Sequence, residues 1–301
     1  MANSFIPKTS TDDSIPTIVA ATALDTLIDV AQVPKIVNVD YADEVAEAGD
    51  TINIPTRGAL SVNDKTAATD ITLQAPADSK VAVSLDKHKE VSFGIDGIAK
   101  IESRPDHVVG YTRDAALKLA GQVETDLLAL ADSFSTSVDA TAAFARSELL
   151  EAQRKMTTNL VPENERKYLI AHPTAIETLL DNDTVSFADR TGDDSVMING
   201  FTDRRFGFDI ISSTYVEAGS SPVNYNNLAM ARDAMTLVVR PLPIAPAGMG
   251  VKQATVTDPT SGLSIRSTMS YNHKALGPMV TLDLLYGVAE LRDAFGLWIK
   301  T

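Results

Sequence analysis

The chain has 301 residues and a formal net charge of −14, from 26 Lys and Arg against 40 Asp and Glu. That balance argues against a conventional nucleic-acid binder, whose phosphate affinity comes from clustered basic side chains. The sequence contains no cysteine, which excludes disulfides, zinc–thiolate sites and a cysteine nucleophile, while 44% hydrophobic and 22% charged residues make a globular composition and not a disordered one.

The length lies above the usual single-domain range, so two lobes are expected. No apolar run is long enough to span a membrane, and MANSFIPKTSTDD lacks the basic and apolar segments of an export signal; a soluble, unexported protein is expected. Residues 1 to 15 are polar with little apolar payload and read as an extended arm. Pro16 then opens a short helix with Val19, Leu24, Leu27, Ile28 and Ala31 on one side, ending before Pro34. Ile36 to Val39 and Thr51 to Ile54 alternate as strands around an acidic connection, YADEVAEAGD.

From Pro55 to Ser79 the residues are small and polar, with Ile71 and Leu73 as the apolar exceptions; this reads as a two-stranded ribbon that is marginal alone and must lean on another surface. Val81 to Ile95 alternates as one long strand with a bulge at Lys87-His88-Lys89. Pro105 to Phe134 is the dominant element. Val109, Ala116, Ala120, Val123, Leu127, Leu130 and Phe134 recur at helical spacing with Thr112 as a polar interruption, and at ~1.5 Å per residue the helix would run roughly 45 Å. Its opposite side, from Asp114 and Lys118 to Asp132, is polar. Gly110 and Gly121 weaken the helix locally and mark a bend or a close backbone contact.

The polar stretch STSVDATAA (135–143) is the expected lobe boundary. Beyond it a helix from Phe144 to Met156, a strand from Tyr168 to Ala171, a helix from Pro173 to Leu180, a strand from Arg204 to Ser212, and a strand and turn from Leu228 to Val239 form a mixed α/β lobe. Leu263 to Tyr271 and Val280 to Tyr286 close the chain as an antiparallel pair that returns to the first lobe.

The residues that carry chemistry assemble no site. His88, His107, His172 and His273 lie in different elements, and Asp181-Asn182-Asp183 with Asp193-Asp194 lacks the Gly and terminal Glu of a calcium loop. Gly248-x-Gly250 lacks a strand-to-helix context, and no nucleophile elbow is present. No catalytic residue, cofactor or metal is assigned, and no enzyme activity is expected. Arg204-Arg205 is the sharpest basic pair, read as a salt-bridged loop or as a contact to a neighbouring subunit or a phosphate.

Several stretches, in order, resemble the major capsid proteins of tailed bacteriophages, which share the Hong Kong 97-like fold: residues 36–58, 104–134, 159–180 (NLVPENERKYLIAHPTAIETLL), 206–216 (FGFDIISSTYV), 229–241 (AMARDAMTLVVRP) and 282–299 (LDLLYGVAELRDAFGLWI). The resemblance implies an α+β chain with an N-terminal arm and short helix (1–35), a peripheral domain (36–140) with an extended hairpin (56–80) and spine helix (105–134), an axial domain (141–262) and closing strands (263–301). It implies a shell protein that self-associates as pentamers and hexamers around double-stranded DNA without sequence-specific contacts. Scaffolding, portal and cement proteins are the implied partners, the host cytoplasm the place of assembly and the virion capsid the destination, with no membrane. Some relatives cross-link through Lys and Asn, which draws attention to Asn63 and Lys65. With Ile71, Leu73, Arg204 and Arg205 these are the candidate intersubunit residues. The segment from Pro241 to Gly262 leaves room only for a loop, without the large axial insertion of some relatives. An encapsulin-like nanocompartment shell of the same fold is the related alternative, and an acidic hydrolase the remote one.

Overall fold

The computed structural model describes residues 8–41, 51–58, 60–67, 70–94, 106–139, 144–181, 204–217, 225–246, 250–258, 262–272 and 277–300. The first helix, α1 (Lys8–Val30), begins well before Pro16, so residues 8 to 15 are helical and not extended. Pro16 removes one hydrogen bond to the turn before it. The packing of the later turns outweighs that loss: Ala20, Ala23, Leu24 and Leu27 are buried against the next long helix and the strands of a sheet. Ile36 to Val39, expected as a strand, follows a 3-10 turn (Val33–Lys35) and makes only a single bridge, from Asn38 to Thr236.

Strands β1 (Thr51–Thr56) and β2 (Ser79–Ser84) pair antiparallel, with Ile52, Ile54 and Val83 turned inward onto Val238. The long strand expected from Val81 to Ile95 is two strands. Its chain breaks at Leu85-Asp86, β2 stays with β1, and β3 (Lys87–Gly94) joins a different sheet. A bulge would have kept both halves on one partner; the sequence alone does not say that two partners exist.

The helix α2 (Asp106–Leu128) runs for 23 residues, about 35 Å, and tightens into a 3-10 turn over Ala129–Ser133. Most of its expected seam is buried: Ala116, Ala120, Val123, Leu127 and Phe134, with Thr112 buried among them, while Leu130 is only half-buried and the Val109 side chain lies outside the described residues. The buried face is wider than the seam, taking in Ala115, Leu119, Glu124 and Leu128, because α2 lies against both α1 and the sheet that holds β3. Gly121 marks a close contact. A Cβ there would come within 2.6 Å of the Tyr215 ring, which lies over the helix at that point.

The stretch expected as the lobe boundary contains β4 (Ser137–Asp139). There follow α3 (Arg146–Thr158), β5 (Lys167–Ala171), α4 (Pro173–Leu180), β6 (Arg204–Arg205), β7 (Phe208–Ser212), β8 (Asn226–Ala231), β9 (Met235–Arg240), β10 (Lys252–Thr257), β11 (Ser264–Asn272), β12 (Gly277–Glu290) and β13 (Gly296–Lys300). Two sheets organise them. The first runs β10-β11-β12-β3, with β9 pairing the second half of β12, so the 14-residue β12 is its centre. The second is a mixed six-stranded sheet, β4-β13-β8-β5-β7-β6. β13, next in sequence to the closing pair, lies in this second sheet between β4 and β8. The chain is thus α+β, with one apolar core under α1 and α2 and another beneath α3 and α4.

Carboxylates that the sequence could not single out tie these layers together. Glu124, buried on α2, accepts the backbone N–H groups of Gln32 (2.6 Å) and Val33 (3.2 Å) and the Ser213 hydroxyl (3.3 Å), joining α1, α2 and the segment after β7. Asp126 accepts the Tyr286 hydroxyl at 2.6 Å, with Lys87 Nζ 3.6 Å away. Burial, and then that hydrogen bond, push the Tyr286 pKa far upward. Asp283 on β12 holds Arg266 (2.5 Å) and His88 (3.0 Å) from the strands on either side. Each of these acids is spent on joining elements.

Candidate assembly surface

The excursion between β1 and β2 has no strand among its described residues, so the expected ribbon lacks a backbone ladder. Side chains bridge its legs instead. The Gly58 N–H donates to Asp78 Oδ1 (3.1 Å), Ser61 N–H donates to Gln74 Oε1 (2.8 Å), and Gln74 Nε2 donates to the Ser61 carbonyl (2.5 Å). Glycine is required at 58, since a Cβ would meet the Ala77 carbonyl oxygen at 2.6 Å. Pro76 has no N–H, and the small polar residues around it have nothing to bury, so the legs meet near their base and at the Ser61–Gln74 bridge.

On both sides of that bridge the apolar side chains stand in solvent. Val62 is 99% exposed and Leu73 87%, with Leu60 and Ile71 at 71% each. Asn63 is exposed, and Lys65 Nζ donates to the Thr66 carbonyl at 3.0 Å within the tip. Ile71, Leu73, Asn63 and Lys65 therefore share one projecting hairpin. Arg204 does not join them, being on β6 at the edge of the six-stranded sheet, where it faces its cross-strand partner Asp209 at 3.5 Å. The side chains of Arg205 and His107 lie outside the described residues, as do His273 and the acidic positions Asp183, Asp193 and Asp194 altogether. His172 caps α4, accepting the Thr174 N–H, and stacks on Tyr225 with ring centroids 3.5 Å apart; burial lowers its pKa.

At the root of the hairpin is a cavity of about 470 Å³. Ile54, Pro55, Tyr41 and Leu291 supply apolar walls, and Arg57, Asp233 and Arg292 the charge. Asn38 fixes the floor: its Nδ2 donates to Asp233 (2.8 Å), and its backbone bonds Met235 and Leu237. Arg232 pairs with Asp40 at 2.7 Å beside it. Glu165 nearby has its pKa raised, first by burial and then by Asp233, with Arg292 opposing. Sequence reading missed this cluster because its members come from four distant stretches, none with a motif.

Neither a family model nor a curated protein matches the sequence. Solved structures do match in three dimensions. A structure from Mycobacterium phage Che8 is 17% identical with a TM-score of 0.66, over 87% of this chain and 88% of that one. The capsid of the cyanophage P-SCSP1u is 16% identical with a TM-score of 0.62, over 84% and 83%. The holo-SrpI encapsulin complex from Synechococcus elongatus is 14% identical with a TM-score of 0.52, over 99% and 91%. The likeness spans most of each chain's length, and the chain accordingly has the α+β fold that these phage capsid and encapsulin subunits share.

Proposed function

We propose that this chain is the major subunit of an icosahedral phage capsid of the Hong Kong 97-like type, a structural protein whose work is self-association. Residues 1–35 form its arm and first helix, 36–140 its peripheral domain, 141–262 its axial domain and 263–301 its closing strands. Pentamers and hexamers of this chain, built with scaffolding and portal proteins in the host cytoplasm and reinforced by cement proteins, enclose double-stranded DNA as the virion capsid. The acidic surface suits a container that holds DNA without gripping it. The intersubunit residues are Asn63, Lys65, Ile71 and Leu73 on the hairpin, and Arg204 and Arg205 on β6.

One observation carries this reading. A leg bearing Leu60 and Val62 and another bearing Ile71 and Leu73 are held off their own subunit, exposed and without a ladder. Such a hairpin gains its stabilising contacts only from another molecule, and identical molecules in closed symmetry satisfy every copy at once. Negative-stain imaging and size-exclusion of the purified chain, alone and with its scaffolding partner, test it. Closed shells are expected; a stable monomer that never assembles refutes it.

The encapsulin likeness, which covers 99% of this chain, supports a second reading as a nanocompartment shell. Nuclease-protected DNA inside purified particles favours the capsid, and a co-purifying enzyme favours the compartment.

A further inference from the structure

We infer that residues 241–246, which cross the outer face of the first sheet, are a polyproline recognition segment that docks into an aromatic-lined groove of a second protein. The partner is separate from self-association, so the shell reading above stands or falls on its own test.

Local chemistry sets the shape of this segment. It reads Pro241-Leu242-Pro243-Ile244-Ala245-Pro246, with a P-x-x-P run at its end. Each proline locks its own φ near about −65°, and Leu242 and Ala245, standing before prolines, are pushed out of the helical region into extended backbone. Only Ile244 lacks such a restraint. The favoured course is polyproline II, with three residues per turn and no internal hydrogen bonds, and the segment is in neither helix nor strand.

One edge of that course is pegged to the sheet. Ile265 and Leu282 point into the core under α1 and α2, so Arg266 and Asp283, next to them in β11 and β12, point to the opposite face. There the Leu242 carbonyl accepts the Thr255 hydroxyl (3.1 Å), and the Ala245 N–H donates to Gln253 Oε1 (2.6 Å), whose amide donates to Thr268 (3.0 Å). Arg266 adds a third peg, donating to the Pro243 carbonyl at 2.8 Å, while the buried Asp283 accepts its other N–H groups and fixes the guanidinium. Leu242 and Ala245, three apart and so on one edge, are half-buried. Pro243 with Pro246, and Pro241 with Ile244, make the other two edges; all four are exposed, Ile244 at 58%.

Those two edges suit one kind of partner. Half of the six residues have no N–H, so a strand cannot pair along them, and the segment carries no charge for an ionic partner. Rigid pyrrolidine rings and a branched aliphatic side chain fit between parallel aromatic rings, the mode by which proline-rich segments are bound. The three pegs hold the segment in shape before the partner arrives, which lowers the ordering cost of docking.

The test titrates the full chain into three isolated, isotope-labelled domains with aromatic grooves, an SH3, a WW and an EVH1 domain, read by NMR. Saturable shifts or broadening confined to the groove residues of at least one domain are expected. Ile244→Asp, at an exposed position, and Pro243→Ala combined with Pro246→Ala are each expected to weaken that binding about tenfold with unchanged thermal melting. Gln253→Ala removes one peg and leaves the exposed edges intact, so the same groove shifts are expected at severalfold weaker affinity. No groove response from any of the three domains at ~1 mM chain overturns the inference. So does a response of equal strength from I244D and P243A/P246A, which would place the contact elsewhere on the surface.

Discussion

Replacing Ile71 and Leu73 with Ser is expected to leave the subunit intact and to raise the concentration at which it assembles. Both side chains are more than two-thirds exposed, at 71% and 87%, so neither contributes to the core of its own chain. Complete burial of an Ile or Leu side chain is worth ~1.5–3 kcal/mol, so the pair offers roughly 3–5 kcal/mol to each intersubunit contact. Ordering of the hairpin takes back part of this, and a net loss of about 3 kcal/mol corresponds to a rise of roughly a hundredfold in the concentration needed for assembly. Light scattering against protein concentration reads that threshold, and circular dichroism melting reads the monomer. Assembly of I71S/L73S at the wild-type threshold refutes the reasoning. So does a melting temperature lowered by several degrees, because it would place these residues in a core.

Other outcomes follow from the interior. Tyr286→Phe deprives the Asp126 carboxylate of its 2.6 Å hydrogen bond and is expected to cost about 1–2 kcal/mol in denaturant unfolding, while wild-type Tyr286 resists ionisation in an alkaline titration until the protein unfolds. Glu124→Ala strands two backbone N–H groups at the end of α1 and should cost about 2–3 kcal/mol by the same measurement. Gly121→Leu drives the Tyr215 ring off α2, which a fall in melting temperature and increased proteolysis near residue 215 would report. Glu165 has a raised folded pKa, so between the ordinary carboxyl value of about 4.3 and that raised value the native state binds more protons than the unfolded one; stability falls as pH rises through the window, and Glu165→Gln is expected to flatten that slope.

The repeating three- and four-residue spacing of Ala116, Ala120, Val123 and Leu127 was sufficient to establish α2, because a helix of that length imposes its period on any sequence that buries one side. Arg146–Thr158, Lys167–Ala171 and Pro173–Leu180 were legible for the same local reasons, and so was the exposed apolar pair Ile71 and Leu73, an anomaly visible in composition alone. Partner choice was not legible. The division of residues 79–94 between two sheets, the helical course of residues 8–15 across Pro16 and the strand at Ser137–Asp139 all depend on which distant surface the segment meets, and local propensity is too weak to decide that. The buried acids Glu124 and Asp283 read as ordinary polar positions until the backbone N–H groups of residues 32 and 33, and the Arg266 guanidinium, are brought against them. Likewise the root cavity exists only once Tyr41, Arg57, Asp233 and Arg292 converge from four parts of the chain. Periodicity is a property of neighbours along the polymer and survives in one dimension; charge pairing and cavities are properties of neighbours in space, which folding alone creates.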